Sequence, residues 1–116
     1  MTTKEFYEVI GGDYDEISRR IPSDILIRRF LLKFPADPSY PDLLDARARQ
    51  DVKGAFLAAH TLKGVAATLG LNTLAEPAAR LSDLLRPLTG FPDDEAFDAV
   101  TRAYRQVTEQ LARLLS

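Results

Sequence analysis

The 116-residue chain has no cysteine, which excludes disulfides, thiolate metal sites and cysteine nucleophiles. Histidine occurs once, at position 60. With no Asp or Glu one turn from it, that imidazole cannot assemble a metal centre, so a metal-dependent enzyme fails on inventory. No stretch approaches the roughly 20 apolar residues of a membrane span. The opening Met1-Thr2-Thr3-Lys4-Glu5-Phe6 lacks the apolar core of a signal peptide. Neither charge sign dominates: 15 basic and 17 acidic residues leave a net -2. That balance gives no electrostatic reason to expect nucleic acid or an anionic membrane as partner. Repeats, low-complexity tracts, sustained strand alternation and Asn-Gly hairpins are missing too. So are a Gly-rich nucleotide loop and any kinase-like motif, and the chain cannot phosphorylate itself from ATP.

What remains is an ordinary soluble composition, 46% hydrophobic and 28% charged. The length suits one domain, 1–116, able to bury a core without staples. A cytoplasmic location is expected. The initiator-like Met1 and the amphipathic C-terminal segment suggest a complete, free-standing product.

Helix signals run almost end to end. A short helix is expected over Lys4–Ile10, stopped by Gly11-Gly12, and another over Tyr14–Arg20, before Ile21-Pro22. Ser23 can cap a third, Asp24 to Phe34, and Ser39 a fourth, Tyr40 to Arg49. These two read as one bundle helix broken near 35–38, because proline removes a helix hydrogen bond and clashes with the preceding turn. Asp51 caps a helix that closes at Gly70, a natural left-handed stop. Asn72 or Thr73 starts the next, to Leu88, with Pro77 just inside its first turn. Asp93, Asp94 and Glu95 put negative charge at the start of the last, which runs to Leu115 and suits its dipole. Four long pieces with short connections predict an all-α fold: an antiparallel up-and-down four-helix bundle over 23–116, with short additional helices over 1–22 docked on it.

On a helical wheel with His60 at zero, Leu62, Val65 and Leu69 fall at about 200°, 140° and 180°. Ala55, Ala58 and Ala66 share that arc, which is the core stripe. His60 points the other way, among Lys53, Phe56, Lys63, Gly64 and Ala67. Gly64 in mid-helix costs about 1 kcal/mol relative to alanine. A tight helix crossing would explain it, but Gly64 lies away from the core stripe; close approach of another surface to His60 is the alternative. Lys63, three residues on, can reach a group carried by the imidazole. Phe56 is either a docking residue, if exposed, or folded under the loop before Asp51. Lys53 is solvated or touches a partner. On the next helix Leu74, Ala78, Leu81, Leu85 and Leu88 form the core stripe, and Ser82 and Arg86 on one flank either border the site or are ordinary surface. On the last, Phe97, Val100, Tyr104, Val107, Leu111 and Leu114 read as core.

An imidazole that is partly neutral near pH 7 is a good phosphoryl acceptor. The product carries about two negative charges, which a neighbouring lysine offsets. The run Ala59-His60-Thr61-Leu62-Lys63-Gly64-Val65-Ala66-Ala67-Thr68-Leu69-Gly70 resembles the signature of histidine-containing phosphotransfer (HPt) domains of bacterial type. In layout the resemblance covers most of the chain. It implies a four-helix bundle whose exposed histidine exchanges phosphoryl groups with an aspartate of a receiver domain. His60 is then the phosphoacceptor, Lys63 the phosphate-side cation and Gly64 the clearance for the receiver. Ala67 stands where a small polar residue is common. The prolines at 35, 38, 41 and 77 depart from the usual pattern. The expected partners are receiver domains of hybrid sensor histidine kinases and response regulators, met by a monomer. The expected role is a carrier, not an enzyme, with no cofactor of its own and with magnesium held by the receiver. The competing reading is a helical module that docks receivers or kinases without being phosphorylated.

Overall fold

Caps set most of the helix boundaries in the computed structural model, which describes residues 1–115. Helix α1, Thr3–Val9, opens with a reciprocal capping box between Thr2 and Glu5. Helix α2, Tyr14–Arg20, takes Asp13 as its cap, and α3, Asp24–Lys33, takes Ser23. A 3₁₀ turn over Phe34–Ala36 separates α3 from α4, Ser39–Ala48. Helix α5 spans Val52–Thr68, α6 Asn72–Leu85 and α7 Asp94–Leu115. The described residues contain no strand, and no helix among them is long and apolar enough to cross a membrane.

Several boundaries differ from those expected. Ser39 does not cap α4; it is the first helical residue, and Asp37 accepts its N–H at 2.9 Å. Helix α6 starts without a side-chain cap, and the Thr73 hydroxyl instead donates to the Ile10 carbonyl at 2.6 Å. That early start puts Pro77 inside the helix, beyond its first turn. The same helix stops at Leu85, three residues early, because Pro87 has no N–H to continue the ladder. Leu88 therefore leaves the expected core stripe: it has φ 58° and is exposed. Gly70 ends α5 as expected, at φ 71°, with the Leu71 N–H on the Ala66 carbonyl.

Helices α4, α5, α6 and α7 pack in sequence, while α3 rests against α1, α2 and α7. Tyr40 stacks on Tyr104 and bonds Thr101, and Arg47 pairs with Asp94, so α4 and α7 run in opposite directions. The interior of α5 is Ala55, Ala58, Ala59, Leu62 and Ala66; the interior of α7 is larger, with Phe97, Val100, Val107, Leu111 and Leu114. Tyr104, expected in that core, is only partly buried against it.

The two N-terminal helices are fastened to the α5–α6 turn. Tyr7, fully buried, donates to the Leu69 carbonyl at 2.6 Å, and Arg28 of α3 reaches Thr3 and the Leu114 carbonyl. Burial pushes the Tyr7 phenol above its ordinary value. The native state then holds this proton more tightly than the unfolded chain. Its contribution is whole below the usual phenol pKa of about 10 and is lost as pH rises past it. Tyr7→Phe should cost about 1–2 kcal/mol at pH 8, read by urea denaturation. The variant should also lose less stability than wild type between pH 8 and pH 11.

Candidate functional site

Helix α5 carries the site because its two faces differ so sharply. Asp51 fixes its start by accepting the Gly54 N–H at 2.9 Å, and Gly70 fixes its end. Between them Leu62, Ala66 and Leu69 are buried, and Val65 is half-buried against the core. His60 is exposed on the opposite side, with Lys53, Gly64 and Ala67 exposed beside it and Lys63 half-buried. The helix carries two lysines and no acidic side chain.

Phe56 is half-buried against the core, and its ring lies 6.0 Å from the His60 ring with 26° between planes. Arg86 completes the row. Its guanidinium sits 5.3 Å from the Phe56 ring while pairing with Asp83 at 3.3 Å. The structure thus brings Arg86, Phe56 and His60 together across α5 and α6. It does not bring Ser82 to the surface. That side chain is fully buried and its hydroxyl has no hydrogen-bond partner among the described residues. The alanine face of α5 lets α6 approach closely enough to enclose its small flanking residue, so Ser82 belongs to the helix interface and not to the site rim.

Gly64 is not a helix crossing. A Cβ built there meets nothing within 4 Å. The surface beside it opens into a groove of about 490 Å³ whose lining includes Phe30, Phe34, Gly64 and Val65, with one basic and one acidic side chain, Lys33 and Asp37, from outside α5. Two parts of this surface go unflagged by the spacing. Leu57 is 52% exposed, and the same wheel places it at about 60°, inside the outer face. Phe30, 40% exposed, comes from α3, and no local pattern could have paired it with α5.

An exposed imidazole near a lysine, on a helix without acidic side chains, suits a phosphoryl group delivered from outside. The family model for the Hpt domain matches residues 34–116, and the chain belongs to that family. Hpt domains are histidine phosphotransfer carriers of two-component phosphorelays and interact with receiver domains. No curated protein and no solved structure matches the chain.

Since its Cβ would meet open space, Gly64→Ala should raise stability by up to about 1 kcal/mol through helix propensity alone. Thermal unfolding followed by circular dichroism reads it as a higher Tm; a lower Tm would mean that this glycine serves the fold.

Proposed function

We propose that His60 accepts a phosphoryl group from a receiver-domain aspartyl phosphate, in a hybrid sensor kinase, and passes it to a response regulator. The observation that carries this reading is that the chain's single histidine lies within the family-matched segment and is exposed on an acid-free helix face. A lone-pair nitrogen of the imidazole attacks phosphorus, the P–O bond to the partner's carboxylate breaks, and that carboxylate leaves as the anion. The other ring nitrogen keeps its proton. Lys63, one turn along, offsets charge on the bound phosphoryl group. Gly64 leaves room for the partner's active-site rim, and Ala67, without a polar side chain, adds no hydrogen bond there. Phe56 and Lys53 contribute apolar and cationic contact at the near edge. Arg86 stands behind Phe56, paired with Asp83, and adds a second cation at that edge.

The acid groups and magnesium that polarise the aspartyl phosphate belong to the receiver, so this chain acts as a carrier without kinase activity of its own, as a monomer in the cytoplasm. Receivers charged with acetyl phosphate provide the test. Wild type should take up label and His60→Gln should take up none; label that persists on the variant sinks the assignment. Gly64→Glu should fold normally, yet transfer about 100-fold more slowly, because a misplacement of an ångström or so at a reacting centre costs on that order. Normal transfer by well-folded Gly64→Glu would show that the cleared surface is irrelevant.

A further inference from the structure

Helix α2 lies outside the matched segment, which begins at residue 34, yet its last residue reaches the site face. Arg20 donates from Nη2 to the Ala67 carbonyl at 3.2 Å. Ala67 shares the direction of His60 two turns further along α5, about 10 Å away at 1.5 Å per residue. Gly64 stands between them with no side chain. The guanidinium therefore closes the far end of a bare strip that starts at the histidine.

Arg20 is not needed to cap α5. The Ala67 carbonyl already accepts the Gly70 N–H at 3.1 Å. Arg20 also pairs with Glu16 at 3.8 Å, between side chains 44% and 50% exposed, and exposed pairs of this kind are worth little; its charge acts on the Tyr7 phenol as well. Its backbone, in contrast, is firmly placed. Ile17 of α2 is buried, and the neighbouring α1 segment is tied to the α5–α6 turn through Tyr7–Leu69 and Thr73–Ile10. A half-exposed cation is thus held on a fixed stem beside the landing surface.

We propose that Arg20 extends the receiver-docking surface and pairs with an acidic side chain on the receiver's rim, setting binding strength without entering the chemistry. This rests on the reading of His60 as the phosphoacceptor. Charge complementarity identifies the occupant. The partner must bring a carboxylate cluster to the phosphoryl group, and the α5 face it meets carries Lys53 and Lys63 and no acid, although the chain as a whole has net charge -2. The separation from His60 exceeds the Debye length of about 8 Å at physiological salt. Arg20 therefore acts on the partner's nearby charge and not on the phosphoryl group. The inference makes an N-terminal addition, outside the phosphotransfer core, a determinant of which receiver docks.

The test compares wild type, Arg20→Glu and Arg20→Lys against an acetyl-phosphate-charged receiver at increasing receiver concentration. Arg20→Glu should raise the half-saturating concentration about tenfold, leave the saturating transfer rate within about twofold, and lose this penalty in high salt. Arg20→Lys should stay close to wild type. An unchanged half-saturation in Arg20→Glu overturns the proposal. So do equal losses in both variants with a lowered Tm, which would make the residue a structural cap. Calorimetric binding of the uncharged receiver separates this proposal from the one beneath it. If wild type takes no label but binds in an Arg20-dependent way, only the carrier reading fails; binding indifferent to Arg20 defeats this one alone.

Discussion

The alanine packing of α5 against its neighbours is the constraint from which the site follows. Ala55, Ala58, Ala59 and Ala66 are small, so each buries little apolar area and stabilises the bundle only if the adjoining helices come close. Close approach in turn fixes the helix in position and rotation, because a densely packed interior resists small displacements. The reverse face is left largely free of packing: a Cβ at Gly64 would meet nothing and His60 is exposed, while Phe56 alone of the aromatic side chains there rests on the core. A rigid inner face and an idle outer face are two consequences of the same side-chain choice. The cost of glycine on the outer face is offset by burial elsewhere, including α7, where Phe97, Val100, Val107, Leu111 and Leu114 are buried.

Local signals were legible where one residue decides one boundary. Tyr14–Arg20 and Asp94–Leu115 have the expected limits, and Asp51 and Gly70 close α5 as their chemistry requires. Misreadings arose where two signals competed. Ser39 looked like a cap, but Asp37, two residues earlier, has the better-placed acceptor. Leu88 continued the apolar spacing, but Pro87 had already ended the helix. Pro77 is tolerated inside α6, a helix whose other face is buried through Leu74, Ala78, Leu81 and Leu85. Tertiary packing can absorb the penalty of a proline that lies beyond the first turn and not, as expected from the sequence, just inside it.

The site divides in the same way. The outward direction of His60, Lys63 and Gly64 was legible because a helix of known start has a computable wheel. The burial of Ser82 was not, since it depends on how close α6 sits to α5, and that depends on several alanines acting together. Phe30 and Arg20 were hidden for a different reason. They reach the α5 face from helices 31 to 47 residues away in sequence (Phe30 to Thr61, Arg20 to Ala67), and no periodicity within one helix reports such a meeting.

A carrier differs from an enzyme in what its nucleophile must avoid. An enzyme gains by enclosing the reacting group, excluding water and supplying its own acids and cations. A phosphoryl carrier has to offer the same nitrogen to a donor and then to an acceptor, so enclosure by its own chain would obstruct both steps. Groups that accelerate transfer would also accelerate loss of the phosphoryl group to water if they stayed beside it between encounters. If His60 is the phosphoacceptor, as proposed, its exposed imidazole, on a helix with no carboxylate, meets both requirements. Selectivity must then come from contacts at a distance from the histidine, where they change affinity without changing the chemistry. On the proposed readings, Arg86 behind Phe56 and Arg20 at the Ala67 carbonyl are two such positions, on opposite sides of His60.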